Sequence, residues 1–78
     1  MTPYKNLSQK SGVTAYEISD EGIRVQFVSG DVYYYSYTTP GSTHVEEMKR
    51  RATEGLGLAT YISQNVRDKF ESKEKNDD

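Results

Sequence analysis

Polar and apolar residues alternate in three short stretches of the first half of the chain. The clearest stretch is 23–27, where Ile, Val and Phe alternate with Arg and Gln; weaker versions occupy 13–18 and 32–37. Strict alternation is typical of a half-buried β-strand. Turn-forming residues at 19–22 and 29–31 separate the stretches. Because these connections are short, the pattern predicts a three-stranded antiparallel meander.

The apolar spacing becomes helical after the Pro-Gly break at 40–41. A first helix is predicted with Val45, Met48 and Ala52 on one stripe and Gly55 after its last turn. Ser42 or Thr43 can cap its start, and the spacing of Thr43 and Glu46 fits a capping box. A second helix is predicted from apolar residues four apart: Leu58, Ile62, Val66 and Phe70. Since neither layer can bury its apolar face alone, the expected fold is α+β, ordered β-β-β-α-α, with both helices on one sheet face.

Four tyrosines fall within the five residues 33–37. Tyrosine both fills a core and presents a polar-tipped ring to a ligand, so the side on which each ring lies matters. An even number of residues in the turn at Gly30 would place Tyr34 on the helix-covered face. An odd number would place Tyr33 and Tyr35 there instead. Three-residue loops with glycine are common, so the odd count is favoured, and Tyr34 is then expected beside Arg24 on the open face.

Length and charge limit the classes of function. The 78 residues allow one domain, predicted at 11–70, between a loose lead-in at 1–10 and a disordered charged tail at 71–78. The net charge is −2, and the chain without the tail carries equal numbers of acids and bases, which is no strong nucleic-acid footprint. The absence of cysteine, of an apolar leader and of a membrane-spanning stretch favours a cytoplasmic protein.

Two features have the composition of a binding surface. An aromatic ring beside a guanidinium on an open sheet is a common platform for single-stranded bases. The basic run 49–51 is a second candidate, although Glu46 and Glu47 lie four residues before Arg50 and Arg51 and favour a self-paired helix surface. The predicted nucleic-acid-binding residues are Arg24, Tyr33, Tyr34, Tyr35, Lys49, Arg50 and Arg51.

No catalytic or metal centre is predicted. His44 is the only histidine, and neighbouring residues in a first helical turn do not converge as a nucleophile and base must. One histidine without cysteine supplies too few ligands for zinc. We therefore expect no enzyme activity, no metal and no cofactor.

The order of these motifs resembles the KTSC domain, a short module found at the C-terminus of some lysyl-tRNA synthetases and as stand-alone bacterial proteins. The resemblance spans 11–70, and the spacing Phe-x-x-Gly-x-x-Tyr-x-Tyr from Phe27 to Tyr35 is its most specific part. The other matching positions are 11–16, 23–26, Pro40, Met48, 53–55, Leu58 and Ile62. The proline is about one residue late, Thr53 stands where the family often has Ser, and Arg51 and Ala59 replace an expected Ala and Asn.

Two functions follow as hypotheses. The resemblance, through attachment to a synthetase, implies a non-enzymatic module that binds RNA or tRNA. The alternative is a protein-interaction domain, including a homodimer, that uses the open sheet face or a sheet edge. Neither hypothesis involves a membrane.

Overall fold

A single antiparallel sheet forms one layer of the protein. The computed structural model describes residues 1–74, and the strands follow chain order across the sheet. They are β1 (Thr2–Pro3), β2 (Val13–Ser19), β3 (Gly22–Phe27), β4 (Val32–Ser36) and β5 (Ser72–Glu74). The three central strands are those predicted from the alternating pattern, and the α+β class is confirmed.

The predicted number of three strands is wrong, because the sheet has five. The two additional strands, β1 and β5, lie at the sheet edges, within the segments 1–10 and 71–78. Strands of two and three residues are too short to show alternation, so the sequence pattern carries no signal for them. The rest of the predicted tail, 75–78, lies outside the described residues.

The segment after β1 is fastened to the domain. Tyr4 is buried, its backbone N–H donates to the carbonyl of Thr14 at 3.0 Å, and its hydroxyl accepts from the N–H of Leu58 at 3.3 Å. The N–H of Leu7 donates to the carbonyl of Gly55 at 2.9 Å. Tyr4 therefore joins the edge of the sheet to the link between the two helices.

The pairing of β3 with β4 confirms the odd register. Val25 lies opposite Tyr33 and Arg24 opposite Tyr34. The N–H of Phe27 donates to the carbonyl of Asp31, which leaves a three-residue loop, 28–30, one residue earlier than expected. Gly30 has φ +93°, a conformation that glycine adopts without steric cost. Tyr33 and Tyr35 therefore share the helix-covered face.

The first helix, α1 (Ser42–Glu54), ends as predicted but begins differently. Gly55 adopts the left-handed conformation and its N–H donates to the carbonyl of Arg51. The predicted cap at Ser42 or Thr43 is wrong: the N-cap is Gly41, and no side chain caps the helix. Glu46 is unavailable for a capping box because its carboxylate accepts a hydrogen bond from Tyr37 and pairs with Lys49.

The second helix is shorter than its stripe of apolar residues indicates. α2 (Leu58–Tyr61) continues as a π-helical segment, Ile62–Val66, and then stops. Phe70 does not extend the helix; it lies beyond the end and packs against the sheet. None of the helices in the described residues 1–74 has the length and apolarity to cross a bilayer.

The core lies between the sheet and the helices. The inner sheet face contributes Val13, Ile23, Val25 and Tyr35, and all four are almost fully buried. The helical layer contributes a second set: Val45, Met48, Ala52, Leu58, Ile62 and Val66. Both helices therefore cover the same face of the sheet.

Gly22 gives a test of the outer face. A methyl group at Gly22 would lie 2.6 Å from Cε1 of Tyr34 and against the carbonyl oxygen of Tyr35, which is backbone and cannot move aside cheaply. We expect Gly22→Ala to lower the free energy of unfolding by about 1–3 kcal/mol, the usual cost of overpacking. Urea denaturation followed by circular dichroism measures the change.

Gly12→Ala is the matched control. Its new methyl group would meet nothing closer than 3.8 Å, so it tests the effect of losing a glycine without a clash. Equal stability of the two variants would contradict the described packing of Tyr34 over β3.

Candidate functional site

An aromatic cluster fills one end of the inner sheet face. The ring of Tyr33 meets Phe27 edge-on with centroids 5.4 Å apart, and meets Phe70 edge-on at 4.9 Å. It is nearly parallel to Tyr35, at 6.4 Å and 18°. Edge-to-face pairs are the favoured arrangement of aromatic rings, so the cluster is internally stable. Burial raises the pKa of the Tyr35 hydroxyl above its usual value, which keeps that group neutral.

The rings of Phe27, Tyr33 and Tyr35 form one wall of an open cleft of about 680 Å³. The opposite wall comes from the π-helical segment and the residues after it. We name this feature the aromatic cleft. Its lining consists of Phe27, Ser29, Tyr33, Tyr35, Ile62, Ser63, Arg67, Asp68 and Phe70. A mostly apolar concavity of 300–1,000 Å³ with a few polar groups is typical of ligand sites.

The backbone that shapes this cleft is unusual. π-Helical segments are rare and occur often at functional sites. The N–H of Arg67 donates to the carbonyl of Ile62 at 2.6 Å, closing the last wide turn, and Arg67 itself has φ +30°. Such a conformation in a residue other than glycine costs of order 1–3 kcal/mol. The strain falls on a residue that lines the cleft.

The open sheet face holds two of the predicted residues. The guanidinium carbon of Arg24 lies 5.7 Å from the ring centroid of Tyr34. Arg24 also pairs with Glu74 of β5 at 2.8 Å. The predicted pairing of an arginine and a tyrosine is therefore present, but a carboxylate already neutralises the arginine.

Lys49 is directed toward the sheet instead of toward solvent. Its ammonium donates to the carbonyl of Ser19 at 2.9 Å and to the hydroxyl of Tyr37 at 3.1 Å, and it lies 3.3 Å from the Glu46 carboxylate. Its side chain is only 15% exposed. Lys49 thus fastens α1 to the β2–β3 hairpin.

Arg50 and Arg51 are paired along α1. Arg50 bonds to Glu47 and to Glu54, the latter at 3.0 Å. Arg51 bonds to Glu47 at 2.7 Å and to the carbonyl of Gly57 at 3.2 Å. Hydrogen bonds from Arg50 and then from Arg51 lower the pKa of Glu47 to about 2. The basic run is therefore a self-paired helix surface.

The structure thus separates the predicted binding residues into three places. Arg24 and Tyr34 lie on the open face, Tyr33 and Tyr35 on the inner face, and the basic run on α1. Of these residues, Tyr33 and Tyr35 line the aromatic cleft.

The histidine is part of a structural contact. Nδ1 of His44 hydrogen-bonds to the hydroxyl of Tyr61 at 2.7 Å, and the guanidinium carbon of Arg51 lies 4.9 Å from the centroid of the Tyr61 ring. No group of three or more His, Cys, Asp or Glu residues that could hold a metal ion occurs in the described part of the chain.

Sequence reasoning missed half of the cleft. Ser63, Arg67, Asp68 and Phe70 come from a stretch that the apolar spacing assigned to a continuous helix. The polar run Ser63-Gln64-Asn65 and the adjacent charges at 67–69 are weak for a buried helix and were the only signal.

Comparison of the chain with protein-family models, curated proteins and solved structures finds no match. The resemblance to the KTSC domain therefore stays a prediction.

The ion pairs of Arg50 and Arg51 on α1 can be tested by measuring the pKa of Glu47. Its pKa is expected at about 2, below the usual value of about 4.3 for glutamate. Because the folded pKa is depressed, the stabilisation is complete above the unfolded value and is lost as the pH falls through about 2. An NMR titration of the side-chain carboxyl carbons measures this pKa.

Arg50→Gln removes the strongest cause and should raise the pKa of Glu47 toward the usual value. Arg24→Gln, on the other face of the protein, is the control and should leave it unchanged. A wild-type pKa near 4 would show that the arginines of α1 are not held by Glu47.

Proposed function

We propose that this protein is a non-enzymatic binding module whose aromatic cleft receives an apolar or aromatic side chain of a protein partner. The cleft carries the proposal, because a small domain leaves a concavity of about 680 Å³ open beside four aromatic rings. A core of this size has little stability in reserve. Apolar surface that remains open under those conditions is typical of an interaction site.

The shape of the cleft supports an extended or turn-like peptide segment. One wall is a sheet and the other is a π-helical segment, so the concavity is open on its solvent side. Phe27, Tyr33 and Phe70 are each only half-buried, which leaves aromatic surface for a ligand. Rigid aromatic rings give large contact area at low cost in conformational entropy.

The charges favour a protein over RNA. Phosphate binding depends on cations that can replace counterions. Arg24, Arg50 and Arg51 are instead paired with glutamates, and Lys49 is mostly buried. RNA binding through these four residues would require these pairs to break. The ring of Tyr34 beside Arg24 and the exposed Arg67 in the aromatic cleft are features that favour RNA, so single-stranded RNA serves as a competing probe.

Blocking the cleft gives the test. Ser63 is exposed and lines the cleft, so Ser63→Trp should fill the concavity while leaving the buried core intact. Peptides of six residues with one central Phe or Leu between Gly and Ser are the probes. With the wild-type protein we expect NMR shift changes at Phe27, Tyr33 and Phe70, and we expect at least a tenfold loss of affinity in Ser63→Trp.

Gln64→Trp is the matched control, since Gln64 is the next residue, is exposed and does not line the cleft. It should bind the peptides as the wild type does. A six-nucleotide single-stranded RNA is the competing probe. RNA-induced shifts at Tyr34 and α1 that vanish with salt, without any peptide-induced shift, would replace the proposal with RNA binding.

A further inference from the structure

Two opposite charges stand at the mouth of the aromatic cleft. Arg67 and Asp68 both line it, and both are exposed. Within residues 1–74, neither side chain takes part in an ion pair or a side-chain hydrogen bond. The arginines of α1, by contrast, are all engaged with glutamates. The cleft therefore combines an aromatic wall with a cation and an anion that remain open to a ligand.

The position of Arg67 is maintained against a local preference. Its φ of +30° is one that side-chain-bearing residues rarely adopt, and glycine would adopt it more easily. The tight hydrogen bond to Ile62 at the end of the π-helical segment holds it there. Backbone strain of this kind is found preferentially where a side chain has a task.

We propose that the aromatic cleft binds the C-terminal residue of a partner chain. In this arrangement the terminal aromatic or apolar side chain enters between Phe27, Tyr33 and Phe70. Arg67 binds the free carboxylate, and Asp68 accepts a hydrogen bond from the backbone N–H of the same residue. This inference rests on the proposed function and adds which part of the partner is bound.

Charge complementarity favours the C-terminal end of a chain over an internal peptide segment or a nucleotide as the ligand of the cleft. Arginine matches a carboxylate through two parallel N–H···O bonds. An internal peptide segment offers N–H groups for Asp68 but no anion for Arg67. A nucleotide offers an anion, but its phosphates carry no N–H donor for Asp68, whereas a terminal residue carries its backbone N–H next to its carboxylate. Among these three ligands, the terminal residue alone supplies an apolar side chain, an anion and a backbone donor within one unit.

The decisive comparison uses two peptides that differ in one group. The probes are acetyl-Gly-Ser-Gly-Phe with a free carboxylate and the same peptide with a C-terminal amide. We expect the free acid to bind the wild-type protein at least tenfold more tightly, measured by NMR titration at low salt. Arg67→Gln should make the affinities for the free acid and the amide about equal. Arg67→Lys should retain part of the preference for the free acid, because lysine keeps the positive charge but cannot form the bidentate hydrogen bonds of arginine.

Lys69→Gln controls for the loss of a nearby positive charge, since Lys69 lies two residues from Arg67 and does not line the cleft. It should keep the wild-type ratio. Arg67→Gly serves as a second variant: it relieves the backbone while removing the guanidinium. It should unfold at the same or higher urea concentration and still lose the preference for the free acid, which separates recognition from stability.

The outcomes distinguish the two proposals. Equal binding of acid and amide, abolished by Ser63→Trp, would overturn the chain-end inference and leave the proposed function intact. If neither the free acid, nor the amide, nor the hexapeptides bind, both the chain-end inference and the proposed function are overturned. Tighter binding of free phenylalanine than of the acetylated peptide would also overturn the inference, because the occupant would then be a small amino acid and not a chain end.

Discussion

The pairing of Val25 with Tyr33 is the constraint on which the rest of the structure depends. Side chains alternate along a strand, so a slip of one residue would exchange every inner residue of β4 with an outer one. Tyr34 would then enter the core, while the inner rings would stand on the open face. The three-residue loop closed by Gly30 prevents this slip, since its odd length fixes which tyrosines meet the helices.

The parts of the fold that could be predicted are those in which many residues repeat one pattern. Alternation identified the three central strands, and a glycine at the right distance identified the end of α1. The edge strands could not be predicted, because two or three residues cannot display a period. The cap of α1 could not be predicted either: Glu46 has the correct spacing, but Tyr37 and Lys49 compete for its carboxylate. That competition depends on a tertiary contact.

The candidate site likewise contains residues whose position the sequence predicts and residues whose position it does not predict. The tyrosines of β4 were recognised from the chain because their alternation follows from strand geometry, and their assignment to the inner face followed from the loop. Arg67 and Phe70 were assigned to a helix, since four-residue spacing does not reveal where a helix changes its turn. In a π-helical turn the hydrogen bond spans five residues, so the turn is wider than the α-helical turn that the four-residue spacing assumes. The helix ends after Val66, and Arg67, Asp68 and Phe70 follow this end and line the cleft.

Within residues 1–74, the charged residues of α1 and those of the aromatic cleft differ in their pairing. On α1 each acid meets a base three or four residues away, which is the ordinary use of a helix surface and contributes little to stability. At the cleft mouth, Arg67 and Asp68 are adjacent in sequence but follow the end of the helix, where i,i+4 pairing is not available to them. Pairing between residues three or four apart on a helix therefore neutralises the charges of α1, but it does not act on Arg67 and Asp68. Arg67 and Asp68 line the same cleft as the aromatic rings, so charged and apolar groups meet at one place, and this meeting is the reason for proposing the binding site at the aromatic cleft and not at α1 or the open sheet face.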